Sequence, residues 1–213
     1  MSRKTNNNST DGMMQRCIYI VSGWPRTFTS MMMGCLSAGG MECTRSKGRD
    51  MMRDRFTDEY EMNRGGVFEL GPRGLQHFYN NPAEYEGKVV KITCQNGMRM
   101  PEWVGGYRVL FTLRHPEELI QSYEYTFSKM LMNDDGIYLK NIRRIYRGCP
   151  WPKMVMQPGK IIDARNTDFG LCVSYFDKIR DAGWPIDPVA AAEYVNPELY
   201  HFRLPELCVG VRL

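Results

Sequence analysis

The stretch CIYIVSGWPRTFTSMMMGCLSAGG, residues 17–40, decides the fold class. It opens with Cys17-Ile-Tyr-Ile-Val21, a short, continuous apolar run rich in β-branched residues that ends at Ser22-Gly23. Such a run suits a strand covered on both faces, as in a parallel sheet. Thr29 and Ser30 then offer hydroxyl caps to a helix from Met31 to Ala38. That helix is apolar almost all round, and Gly39-Gly40 stops it. A buried strand running straight into a buried helix is the first half of a βαβ unit.

Outward from this stretch the alternation continues. Lys88–Thr93 and Tyr107–Leu113 read as two further strands, and Lys160–Asp163 as a fourth. After the second of these, Pro116 suits a first helical position and Glu117-Glu118 complement the positive end of the helix dipole. Leu119, Ile120, Tyr123, Phe127, Met130 and Leu131 recur at three- and four-residue steps, which predicts an amphipathic helix. Residues 138–147 read as a basic helix, 169–182 as a helix closed by Gly183, and Asp187-Pro188 as the opening of a last short helix reaching Val195. Residues 42–63 read as a loop with a surface helix. Strands alternating with helices predict a three-layer α/β domain around a mainly parallel sheet.

Length and composition bound what such a domain does. A chain of 213 residues with 43% hydrophobic content suits one domain, expected over residues 15–213 after a disordered polar tail over 1–14. A net charge of +4 with no block of like charge gives no basis for whole-surface attraction to nucleic acid. No apolar run approaches the roughly 18 residues of a membrane-spanning helix. MSRKTNNNSTDG lacks the apolar core of a secretory signal, and the seven cysteines include no C-x-x-C pair. The expectation is a cytoplasmic protein with reduced, buried thiols. His77, His115 and His201 lie far apart, so no metal-ligand spacing is visible and no metal is expected.

In open α/β sheets the ligand crevice lies at the carboxyl ends of the strands. That directs attention to Ser22–Ser30, Thr93–Gly97, Arg114–Pro116 and Asp163–Asn166. The first of these places backbone N–H groups and a helix N-terminus around one point, where Arg26, Thr27, Thr29 and Ser30 add a fixed charge and hydroxyls. It reads either as an anion cradle or as a capped helix with a surface arginine. It lacks the lysine of G-x-x-x-x-G-K-[ST], and Phe28 stands where nucleotide kinases have glycine. At the third, Arg114 ends a strand and Ser122 lies on the second turn of the next helix. Both can reach one anion, or Arg114 can pair with Glu117 or Glu118.

The residues from Val21 to Met33 resemble the 5′-phosphosulfate loop of P-loop sulfotransferases, whose core is Pro-Lys/Arg-Ser/Thr-x-Thr-Ser/Thr. Arg114 and Ser122, eight residues apart after a strand, are similar to that family's 3′-phosphate site. Asn63-Arg-Gly-Gly-Val-Phe-Glu69 resembles the Asn-Pro-Lys-Gly-Tyr-Phe-Glu of bacterial members, and Gly87-Lys-Val-Val-Lys91 their Gly-Lys-Ala-Val-Lys. Asn196-Pro-Glu-Leu-Tyr-His-Phe-Arg203 resembles their closing Asp-Pro-x-Leu-Tyr-Arg-x-Arg, so the likeness spans roughly residues 17–203.

The resemblance implies a donor, 3′-phosphoadenosine 5′-phosphosulfate (PAPS), with adenosine 3′,5′-bisphosphate (PAP) as product. Arg26, Thr27, Phe28, Thr29 and Ser30 would hold the 5′-phosphosulfate, and Arg114 and Ser122 the 3′-phosphate. Arg26 occupies the position of the family's loop lysine, and Lys91 matches a lysine facing the transferring group, although an ordinary strand-end lysine reads the same. Where the cytosolic branch has Lys-Thr-His, this chain has Lys91-Ile92-Thr93, and a threonine is no base at neutral pH. Carbohydrate-acting branches use a glutamate, and Glu69 is the best-placed acid. The glycine-rich C-terminal donor motif of the cytosolic branch is absent. The acceptor implied is a hydroxyl or amine on a small molecule or carbohydrate. A P-loop small-molecule kinase and a non-catalytic nucleotide-binding domain of the same fold are the alternative readings.

Overall fold

The apolar run forms a strand, β1 (Ile18–Gly23), which continues two residues past Val21 and is buried along its whole length. The computed structural model describes residues 17–45, 68–93, 100–115, 117–119, 121–122 and 154–199. The expected tail over 1–14, the basic helix over 138–147, most of 42–63 and everything after residue 199 lie outside those residues, as do Cys94, Cys149, Cys208 and His201. After β1 come α1 (Thr29–Ala38), α2 (Pro72–Asn80), a 3-10 turn (Pro82–Tyr85), β2 (Val89–Thr93) and β3 (Tyr107–Thr112). Residues 117–119 and 121–122 are helical. The chain then adds β4 (Met154–Met156), α3 (Pro158–Thr167), α4 (Phe169–Asp181), α5 (Pro188–Glu193) and a 3-10 turn (Pro197–Leu199).

The four strands form one sheet in the order β2-β1-β3-β4. Every pairing is parallel, with Ile20 opposite Val90 and Val109, and Leu110 opposite Met154. Alternate residues of β1 feed opposite faces, as the period of a strand requires. Tyr19 and Val21 join a core with Met32, Met33, Leu36, Ile161, Ile162, Phe176 and Trp184. Ile18 and Ile20 join Phe78, Val90 and Ile92 on the other face. Apolar cores on both faces of a parallel sheet make this an α/β protein, compatible with three layers.

Two expectations need correction. Lys160–Asp163 is no strand: it lies inside α3, and the fourth strand is the preceding Met154–Met156. Pro158 sits at the helix start, where its missing N–H costs nothing, and Ile161 and Ile162 reach the core from one helical face. Asp163–Asn166 are therefore helical and do not follow a strand. The second correction is at α1, where Thr29 and Ser30 are the first helical residues rather than caps. The N-cap position is Phe28, in the left-handed region, and it makes no side-chain capping bond.

The helix stops are as read. Beyond α1, Gly40 takes φ 96°, with Gly40 N–H donating to the Ser37 carbonyl and Met41 N–H to that of Leu36. This is the Schellman arrangement, which glycine enters without a Cβ penalty. Beyond α4 it recurs at Gly183, with N–H bonds from Gly183 to Arg180 and from Trp184 to Ile179. At the start of α5, the Asp187 carboxylate accepts from the N–H groups of Val189 and Ala190.

Candidate functional site

The chain leaves β1 for β2 on one side of the sheet, and β3 leads to β4 on the other. The strand order therefore reverses between β1 and β3, which is where open α/β sheets leave a crevice at their carboxyl ends. The loop after β1 and Arg114 after β3 meet there. Their junction is built on a hydroxyl pair: Thr27 Oγ1 lies 2.9 Å from Thr112 Oγ1, with Thr27 also donating to the Trp24 carbonyl at 2.6 Å. A Cβ on Gly23 would run into both hydroxyls, so the strand can end this close to the loop only as glycine.

The loop itself is contorted. Arg26 and Phe28 both take positive φ, 73° and 64°, which non-glycine residues do at a cost of about 1–2 kcal/mol each. Between them, the Thr27 N–H donates back to the Trp24 carbonyl at 3.2 Å, closing a tight turn. Arg26 is half-buried and donates from Nε to Ser122 Oγ at 3.1 Å. Arg114 is buried, donates from Nη1 to the Arg26 carbonyl at 3.2 Å, and lays its guanidinium 4.6 Å from the centre of the Phe28 ring. The acid beside it is Glu118: Arg114 Nε lies 3.3 Å from Glu118 Oε2, and both side chains are 3% exposed.

The third cation comes from the neighbouring strand. Lys91 is inside β2 rather than at its end, and its side chain is 3% exposed. Its Nζ donates to Ser30 Oγ at 2.8 Å and pairs with Glu69 Oε1 at 3.3 Å. Glu69 arrives there because it forms an isolated parallel bridge with Lys91 along the outer edge of β2. Its side chain is 29% exposed, so it faces the rim while Lys91 is sealed. Thr93 ends β2 and is buried.

Arg26, Phe28, Ser30, Glu69, Lys91, Arg114 and Ser122 thus fall into two linked sets. Arg26, Phe28, Arg114 and Ser122 interlock across β1 and β3; Ser30, Lys91 and Glu69 interlock across β1 and β2. Thr29 is buried in the first turn of α1, between the two. His115 follows Arg114 and accepts at Nδ1 from the Glu117 N–H, while His77 sits on α2 against Tyr85. Thr112 is the member that sequence reading passed over; a hydroxyl two residues before Arg114 at a strand end was the available signal. Among the described residues no group of three or more His, Cys, Asp or Glu is placed to hold a metal ion, and no helix is long and apolar enough to cross a membrane.

Compared with known proteins, the chain matches no protein-family model, no curated protein and no solved structure.

Proposed function

We propose that the chain is a sulfotransferase, moving a sulfuryl group from PAPS to a hydroxyl or amine of a small-molecule or carbohydrate acceptor in the cytoplasm. The observation that carries this reading is that Arg114 and Lys91, from the end of β3 and from β2, bond to the loop and helix start that carry Arg26: Arg114 to the Arg26 carbonyl and Lys91 to Ser30, while Arg26 itself reaches Ser122. Three guanidinium or ammonium groups around one loop suit a ligand with two separate phosphates. Residues 26–30 would hold the 5′-phosphosulfate, and Arg114 with Ser122 the 3′-phosphate, the division the motif resemblance implies.

The donor supplies an activated S–O bond, which breaks as the acceptor oxygen bonds to sulfur, the electron pair leaving with the phosphate. This chain's residues would handle charge and protons. Arg26 carries a fixed charge that its pKa, above 12, never lets it give up, so it can stabilise the leaving oxygen but not protonate it. Lys91 holds the second positive charge and is kept in place by Ser30. Glu69, at the rim beside Lys91, would take the acceptor proton. Protonation there would dissolve the Glu69–Lys91 pair and leave the ammonium for the phosphate oxygen, so proton transfer and leaving-group stabilisation would be one event.

PAP, the donor without its sulfuryl group, tests the reading without knowledge of the acceptor. At 100 times its dissociation constant a ligand adds about 2.7 kcal/mol, or roughly 5–11 °C of melting temperature in a domain of this size. The shift is expected in the absence of added metal. ATP with magnesium, lacking a 3′-phosphate, should give much less; a larger shift from ATP–magnesium would make the chain a kinase. Tight PAP binding with no acceptor ever sulfated would leave a binding domain.

A further inference from the structure

Arg114 is surrounded more completely than a phosphate-binding arginine needs to be merely to exist. Its guanidinium carbon lies over the Phe28 ring, 4.6 Å from the ring centre. Its Nε is directed at Glu118 Oε2 (3.3 Å) and Nη1 at the Arg26 carbonyl (3.2 Å). The ring packs under the charged carbon, and two acceptors on different elements fix the orientation of the guanidinium. The geometry points to Phe28 and Glu118 as positioning residues for Arg114, setting the direction in which it presents its charge to a 3′-phosphate. This rests on the donor-site reading above.

Two features that fold stability does not account for converge on this one side chain. A buried ion pair such as Arg114–Glu118 is commonly no better for stability than well-packed apolar residues in its place. Phe28 holds a left-handed backbone conformation that glycine would take without strain. In that conformation its ring lies under the Arg114 guanidinium. A binding site held in one orientation loses less on capturing its ligand, which is what a preorganised charge supplies. The same clamp ties the loop after β1 to the helix after β3, where Arg26 and Ser122 make a second tie.

Calorimetric titration of the full chain with PAP and with adenosine 5′-monophosphate tests this, because their ratio isolates the 3′-phosphate. Phe28→Leu and Glu118→Gln should each lower the preference for PAP by about 5- to 30-fold, the worth of one cation–π or charged contact. Phe28→Tyr, which keeps the aromatic face, should retain the preference. In an Arg114→Ala background, Phe28→Leu should change the ratio no further. Phe28 is only half-buried, so its variants carry the test even if Glu118→Gln does not fold. An unchanged preference in Phe28→Leu, or equal losses for the two nucleotides, overturns the positioning role while leaving the donor site standing. A wild-type protein without preference for PAP overturns the donor site, and this role with it.

Discussion

Glu69 and Arg26 differ in what they touch, and their variants should differ accordingly. Glu69 sits at the rim on Lys91, away from the loop, so Glu69→Gln should leave PAP affinity nearly intact. Turnover should fall about 10²–10⁴-fold, the usual worth of a positioned base. Arg26 belongs to the loop itself, and one cation serving both ground state and transition state ties affinity to rate, so Arg26→Ala should lower both. Single-turnover assays with labelled donor and a panel of phenols, sugars and amines would read the two constants apart. Full activity in Glu69→Gln would reduce Glu69 to a counter-ion for Lys91. At this scale the sequence shows which residues carry charge, but not which of them meet. Arg114 and Glu118 are one helical step apart, so their pairing was one of two local choices. Lys91 and Glu69 are brought together by a bridge between distant segments, which no local spacing encodes.

Elements were legible where the chain punctuates itself. Gly40 and Gly183 stop their helices in left-handed turns, and Asp187 caps the next one. The different outcome at Lys160–Asp163 has a clear cause: two adjacent β-branched residues, Ile161 and Ile162, between two charged ones fit a buried strand and a buried helical turn equally. Pro158 and the strand immediately before it resolve the choice, because Met154–Met156 already fills the edge position beside β3. Two glycines separate backbone strain from crowding. Gly183 has φ 86°, and a Cβ there would meet the Arg108 guanidinium at 2.5 Å from Nη1, while Arg108 donates to the Ala182 carbonyl at the end of α4. Gly87 has φ 75° with nothing within 4 Å of an added Cβ. Gly87→Ala should therefore cost about 1 kcal/mol, from the left-handed backbone alone. Gly183→Ala should cost slightly more, about 1–2 kcal/mol, because the flexible Arg108 must swing aside and give up its bond to the Ala182 carbonyl. Urea midpoints at constant m-value give both numbers, and equal costs would mean that Arg108 gives way freely.

The described residues pack as two apolar cores on a parallel sheet, and the buried thiols report on that integrity. Cys35 on α1 and Cys172 on α4 are fully buried in the larger core, and no cysteine among the four described is in a disulfide. Burial pushes the Cys35 thiol far above its ordinary 9.0, with the neighbouring Cys172 adding to the effect, and burial likewise raises Cys43 to about 12. Since only the thiolate reacts, Cys35 should resist alkylation at pH 8 until the domain opens. Mapped by mass spectrometry, its labelling rate should then follow global unfolding and not local fraying. The linkage has a definite sign. The folded state keeps these protons to higher pH than the unfolded chain, so their stabilising contribution is complete below the ordinary thiol value of 9.0. It is lost as pH rises toward the folded values, at up to about 1.4 kcal/mol per pH unit for each such thiol. Replacing Cys35 with Ala removes one titrating group, so the fall in stability between pH 9 and pH 11 should become shallower even though the cavity lowers stability at pH 7. Chemical denaturation across that range measures the slope directly. An unchanged slope, or rapid labelling of Cys35 in the native state, would mean that α1 and α4 do not shield it and that the larger core is open in solution.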